Sequence, residues 1–290
     1  MATDYLKLLR ISHWIKNFFV FVPILFAKHL FIWDDLSKVV IAFFAFSLTS
    51  SLVYVFNDLI DADFDRLHPV KKNRPVASGK ISVRNAKIAI LSLIVIITAV
   101  SSQLNLMSNL LLATYLVINV LYTLKLKNII ILDLFCIASG FMLRVLAGAF
   151  VIDIYISKWL ILTTMFLALY LAVMKRRSEL VTQNDEKETR MVLKDYSERF
   201  IDQISAIASG GLIICYALYS VSDRTIAEFG TEYLVFTTIF VVFGVFRYMF
   251  LVLKKSKGEN PTEVMLTDIP MIVNILLYII VITLIIYYGK

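Results

Sequence analysis

Cysteine is nearly absent from this chain. Cys136 and Cys215 are the only two in 290 residues, and each lies inside an apolar run. A disulfide framework or a cysteine zinc site has no basis here, which leaves two buried, inert thiols. Histidine is also scarce, at three residues. No Ser/His/Asp arrangement, Walker loop or dinucleotide glycine motif occurs, so those chemistries find no footing. Gly/Ser linkers, low-complexity tracts and clear internal repeats are missing too, so residues 1–290 read as one membrane domain. A signal peptide is not evident: Lys7, Arg10 and Lys16 sit among polar positions, and the apolar stretch that follows lacks a small-residue cleavage site.

What is abundant is apolar residues, 59% of the chain, gathered in long runs. That pattern predicts an all-α polytopic membrane protein. Nine spans are expected, at roughly 17–36, 38–57, 85–103, 107–124, 129–152, 157–174, 203–222, 233–253 and 270–288, with Pro23 kinking the first. The net charge of +7 calls for no nucleic acid, because the basic residues fall between spans. With the amino terminus inside, 22 of the 29 Lys and Arg lie in inner segments, five lie in outer ones, and Arg144 and Arg247 lie within spans. This asymmetry predicts a multi-pass protein of a bacterial-type inner (plasma) membrane with a cytoplasmic amino terminus.

Against that background the stretch Asn57–Gly79 stands out, since it concentrates acids, bases and two prolines where a hydrophobic run meets water. On a helix, Asn57, Asp58, Asp61 and Asp65 share an arc of roughly 100°, while Asp63 points away. Carboxylates so grouped repel one another unless a cation bridges them, and hard oxygen ligands suit Mg²⁺ shared with a substrate's phosphates. The competing reading is a solvated acidic helix end. Arg66, Lys71, Lys72 and Arg74 follow, in a loop stiffened by Pro69 and Pro75. They form either a positive-inside loop or, with the metal, a clamp for a departing diphosphate. Between them His68 is read as structural rather than as a proton carrier.

Other polar positions admit two readings each. Lys175, Arg176 and Arg177 are a topology signal or a phosphate contact. Lys16, beside Trp14, is an interfacial anchor or a phosphate contact. Arg144 is costly in mid-span and faces the bundle interior, either paired with Asp133 or aimed at substrate. Arg247 is equally open. Tyr122 and Asp133 are candidate polar contacts at the fourth-to-fifth turn. Asp195, Glu198 and Asp202 share a face that is a second metal site or a solvated surface.

The pattern Asn57-Asp58-x-x-Asp61-x-x-x-Asp65, followed by Asn73-Arg74-Pro75-x-x-Ser78-Gly79, resembles the first signature of the UbiA superfamily of intramembrane prenyltransferases. The resemblance implies a UbiA-type bundle of about nine helices with a cytoplasm-facing site, in which the acids hold Mg²⁺ against a diphosphate. Aromatic prenyltransferases of this superfamily carry a second aspartate motif after the sixth span. Here that place reads Lys175-Arg176-Arg177-Ser178-Glu179. Together with Trp14-Ile-Lys16-Asn17 and Gly140-Phe-Met-Leu-Arg144, it is similar to the decaprenyl-phosphate phosphoribosyltransferase branch. The resemblance implies transfer of 5-phosphoribose from phosphoribosyl diphosphate (PRPP) to a polyprenyl phosphate in cell-envelope biosynthesis. Asp58, Asp61 and Asp65 would then be the catalytic acids, with Asn57 completing the metal face. Substrate would meet Lys16, Arg66, Lys71, Lys72, Arg74, Tyr122, Arg144, Lys175, Arg176 and Arg177. A homo-oligomer is compatible with the chain. The alternatives are an aromatic or haem prenyltransferase using prenyl diphosphate, and a non-catalytic lipid-phosphate transporter.

Overall fold

The structure is a computed structural model that describes residues 2–67, 71–182, 195–255, 264 and 267–289. His68 and Pro69 lie outside the described residues, as does much of the loop after Arg177. The described residues hold helices and no strand. In chain order the α-helices are α1 (Ala2–Leu8), α2 (Val22–Phe26), α3 (Trp33–Ile60), α4 (Ala62–Leu67), α5 (Val83–Ser101), α6 (Leu106–Leu124) and α7 (Leu132–Phe150). They continue as α8 (Lys158–Thr182), α9 (Glu198–Ser220), α10 (Asp223–Phe229), α11 (Thr238–Lys255) and α12 (Ile269–Tyr288). A 3-10 helix, Ile11–Phe21, precedes α2.

Several helix starts are set by side-chain caps. Ser82, Asn105, Ser197 and Asp268 each accept a hydrogen bond from the backbone N–H three residues on, which satisfies a donor the helix leaves open. Eight helices among the described residues are long and apolar enough to cross a membrane. Large side chains such as Leu91, Val95, Phe246 and Ile239 remain outside the packing; in a bilayer they form the lipid-facing surface.

The expected first and second spans are redrawn. The second is one helix, α3, of 28 residues, about 42 Å long against a hydrocarbon core of about 30 Å. Polar residues stand at both of its ends, Asp34 and Asp35 in the first turn and Asn57 and Asp58 in the last. In place of a regular first span stands the shorter apolar helix Ile11–Phe26. It is wound as 3-10 over eleven residues and as α over five. Because 3-10 winding rises about 2.0 Å per residue, this short piece still reaches about 30 Å. Two residues after its end comes Lys28, whose φ is +59°.

The chain divides into two compact units, the boundary falling inside α7. The first comprises residues 1–126 and 143–155. One of its cores gathers Val20, Ile24, Ala42, Phe46, Tyr115 and Ala147, and another gathers Leu8, Leu52, Val55, Val76, Ile81 and Ala86. The second unit comprises residues 127–142 and 156–290. Its cores are built on Tyr170, Met174, Leu212, Tyr248 and Leu251, and on Leu134, Val173, Tyr196 and Ile201.

Candidate active site

Helical spacing on α3 sets Ser47, Ser50, Ser51, Tyr54 and Asp58 along one stripe. The 3-10 helix lies against it. Three residues per turn place Trp14, Asn17 and Val20 above one another, and each meets a small partner. Trp14 Nε1 donates to Ser51 Oγ at 3.0 Å, and Asn17 Nδ2 donates to the hydroxyls of Ser47 and Ser50 at 3.0 and 3.3 Å. Beside Val20, an added Cβ on Gly148 would sit 2.0 Å from the Val20 carbonyl oxygen, so this approach requires glycine. The small hydroxyls of α3 are what let the 3-10 helix come so close.

Along this seam sits Arg144. Its Nε donates to Asn17 Oδ1 at 2.6 Å, its Nη2 donates to Tyr115 Oη at 2.9 Å, and its guanidinium lies 4.6 Å from the centre of the Tyr115 ring. Asp133 is not its partner, contrary to one of the two sequence readings. Nearby Lys16 is half-buried and makes no hydrogen bond or ion pair among the described residues. Arg144 and Arg10 are the charges within reach of it, and Tyr54 lies within electrostatic range of Arg10, Arg144 and Tyr122.

At the far end of the stripe the acidic face departs from one continuous helix. The helix α3 stops at Ile60, Asp61 caps it, and α4 restarts at Ala62. The break keeps the acids together. Asp58 and Asp65 are both buried, and both lie against one nitrogen of Arg74: Nη1 is 3.3 Å from Asp58 Oδ1 and 2.6 Å from Asp65 Oδ2. Arg74 is placed there by a 3-10 turn at Lys71–Asn73 and by the buried Pro75, Val76 and Ala77 that follow. A second cation, Arg10, donates from Nη2 to Asp58 Oδ1 at 2.5 Å. Asn57 and Asp61 are half-buried beside them, and Asp63 is exposed and paired with Arg66 at 2.7 Å. Lys71 is half-buried and Lys72 exposed.

Among the described residues no three acidic, His or Cys side chains are already gathered as a metal cluster. The donor set nevertheless fits a hard divalent cation: two carboxylates converge on the single point where Arg74 now supplies positive charge, with an amide and a third carboxylate alongside. Arg10, Tyr54 and Tyr115 were not singled out from sequence as site residues, and Asn17 entered only as the last residue of the Trp14-Ile-Lys16-Asn17 motif.

The second unit treats its cations differently. Arg176 is 1% exposed and Asp133 0%. Arg176 Nε donates to Asp133 Oδ2 at 2.7 Å, and its Nη1 donates to Glu179. Tyr196 Oη donates to Asp133 Oδ1 at 2.8 Å and accepts the Ile131 N–H at 2.8 Å; burial pushes this phenol above its ordinary pKa. Arg177 pairs with Glu198 and Asp202, each at 2.8 Å, so those two acids serve an arginine. Asp195 is exposed, and Lys175 lies 3.9 Å from Glu179. Arg247 is held on both nitrogens by Asp268, at 2.9 and 2.8 Å.

Comparison with known proteins adds four findings. A family model described as the UbiA prenyltransferase family matches residues 18–269. The chain is 29% identical over 279 residues to decaprenyl-phosphate phosphoribosyltransferase of Mycolicibacterium smegmatis, covering 92% of this chain and 87% of that one. It is 30% identical to the protein of the same name from Corynebacterium glutamicum, covering 92% and 82%. A UbiA homolog from Archaeoglobus fulgidus, solved bound to DMAPP and Mg²⁺, superposes with a TM-score of 0.73 at 19% identity, covering 98% of this chain and 99% of that one. That last likeness speaks for the fold alone.

Proposed function

The chain belongs to the UbiA prenyltransferase family, and from that premise we propose that it transfers 5-phosphoribose from PRPP to a polyprenyl phosphate on the cytoplasmic side of the membrane. The observation that carries the reading is the placement of Asp58 and Asp65 around one positive point, at the end of a stripe that leads to Lys16 and Arg144. The names of the two relatives at about 30% identity support the choice of donor and acceptor.

Asn57, Asp58, Asp61 and Asp65 would hold Mg²⁺, which when bound neutralises diphosphate and makes it a better leaving group. Arg74, Lys71 and Lys72 take up charge as the C1–O bond breaks and the electron pair departs with diphosphate. Carboxylates of the same face stabilise the positive character that develops at the ribose C1. A phosphate oxygen of the lipid forms the new bond to C1. That oxygen is already anionic, so the step needs no strong general base, in keeping with a chain that has three histidines. Lys16 and Arg144 orient a phosphate, with Tyr115 and Asn17 fixing the guanidinium, and Tyr122 borders the same region. Alignment of two anionic substrates supplies much of the acceleration. Arg176 and Arg177 stand apart from this role, since their named partners are carboxylates of their own unit.

The test is direct. Purified protein, Mg²⁺ and labelled PRPP are incubated with polyprenyl phosphates of several lengths, and the lipid is extracted. Label in the lipid with stoichiometric diphosphate release is the expected result. Label that stays in water, while labelled prenyl diphosphate alkylates 4-hydroxybenzoate or a naphthoate, would replace this reading with aromatic prenylation.

A further inference from the structure

Arg10 was not among the residues the sequence pattern selected, yet its position is tightly constrained. Its backbone is left-handed, with φ +47° and ψ +50°. A non-glycine residue takes that conformation only against steric crowding of its Cβ. The chain is strapped on either side of it: Ser51 Oγ donates to the Leu9 carbonyl at 2.7 Å, and Trp14 Nε1 donates to the same Ser51. So held, the guanidinium lies 4.7 Å from the centre of the Tyr54 ring while Nη2 reaches Asp58 Oδ1 at 2.5 Å. It stands at the junction of two regions of opposite sign. On one side are Asp58 and Asp65. On the other is Tyr54, within electrostatic range of Arg144, and Lys16, which feels both Arg10 and Arg144.

We propose that Arg10 is an exchangeable counter-ion: it holds Asp58 in the metal-free chain and passes to a phosphate oxygen when metal and diphosphate arrive together. This rests on the metal–diphosphate reading of the acidic face, though not on the identity of the sugar or the acceptor. The physical reason is charge balance. Asp58 is 2% exposed and carries two arginines, so a divalent ion reaching it alone adds positive charge against Arg10 and Arg74 and pushes Arg10 toward a region already positive. That displacement is unfavourable. A diphosphate entering with the ion supplies the anion that Arg10 loses, so the guanidinium changes partner without being left uncompensated. Divalent metal alone is therefore held weakly, and metal and diphosphate bind cooperatively. Arg10 acts as a positioning residue that couples the two.

The experiment uses the full chain in detergent, Mn²⁺ followed by electron paramagnetic resonance, and inorganic diphosphate as the second ligand. Arg10→Ala and Arg10→Gln are compared with the parent; Gln keeps part of the stem over Tyr54. The parent is expected to bind Mn²⁺ at least tenfold more tightly when diphosphate is present. In both variants Mn²⁺ alone binds about tenfold or more tighter than in the parent, because one charge-assisted hydrogen bond to its ligand is gone. The enhancement by diphosphate shrinks by a similar factor. Arg10→Lys, which restores the charge, recovers most of the coupling. A residue that merely stiffened the fold would weaken both ligands, so unchanged or weakened Mn²⁺ binding in the variants overturns the exchange. A parent that binds no Mn²⁺ under either condition overturns the metal face and the exchange with it. Failure of the lipid-labelling test alone leaves these titrations standing.

Discussion

Removing the carboxylate of Asp133 separates the two roles open to the Lys175–Arg177 cluster. Asp133 and Arg176 are both fully enclosed, joined Nε to Oδ2 at 2.7 Å, and the other carboxylate oxygen takes the Tyr196 hydroxyl at 2.8 Å. Taking one partner from such a pair leaves a charge in low dielectric, which costs about 3–5 kcal/mol. Asp133→Ala is therefore expected to lower the apparent melting temperature in detergent by on the order of 10 °C. Tyr196→Phe removes one bond to the same carboxylate and leaves the Ile131 N–H without its acceptor, so it costs about 1–3 kcal/mol. The double change Asp133→Leu with Arg176→Met removes both charges together and regains most of the loss, although Arg176's bond to Glu179 is lost as well. Thermal unfolding of the parent, Asp133→Leu, Arg176→Met and the double change forms a double-mutant cycle, and a coupling of at least about 1 kcal/mol is expected. In the protein that remains folded, KM for either phosphorylated substrate stays within about twofold of the parent. An Asp133→Ala protein of normal stability and a tenfold higher KM would refute the reasoning and return Arg176 to substrate binding.

Three further outcomes are expected. Gly148→Ala should cost at least about 1–3 kcal/mol, because the new methyl group meets the Val20 backbone at 2.0 Å and a main-chain atom must move; a melting temperature equal to the parent's would show that the helices do not approach so closely. Arg144→Ala should raise KM for a phosphorylated substrate tenfold or more, whereas unchanged KM for both substrates with normal kcat would make this arginine structural. Asp65→Asn should abolish turnover, and so should chelation of divalent metal, with Mg²⁺ restoring only the parent; activity that survives both treatments would remove the metal from the reaction.

How far the sequence reached depends on whether a residue's partner lies on its own helix. Apolar runs and caps are local, so the long helices were legible, and so was the shared face of Asp58 and Asp65. The kink at Asp61 was not, because arc arithmetic assumes a continuous helix. Yet the face survives the kink, since what draws Asp58 and Asp65 together is Arg74 on a separate loop. The short Ile11–Phe26 segment was misread for a related reason. Counting at 1.5 Å per residue asks for about 20 residues in a span, whereas this helix has 16 and is wound mostly as 3-10.

Partner choice among buried charges was least legible. Arg144 and Arg176 both had Asp133 within plausible reach of their helices, and sequence offers no means to choose. The choice follows from which neighbour supplies oxygens at the right depth. On α3, Ser47 and Ser50 anchor Asn17, and Asn17 carries Arg144. Asp133, at the start of α7, faces Tyr196 and Arg176 instead. The two arginines thereby acquire different chemistry. Arg176 is held by carboxylates, and bringing an anion to it would cost an existing ion pair. The oxygens that fix Arg144 through Asn17 and Tyr115 are neutral, so a phosphate can approach it without displacing a charged group from either of them. That contrast is the physical ground on which the proposed phosphate contact is assigned to Arg144 rather than to Arg176.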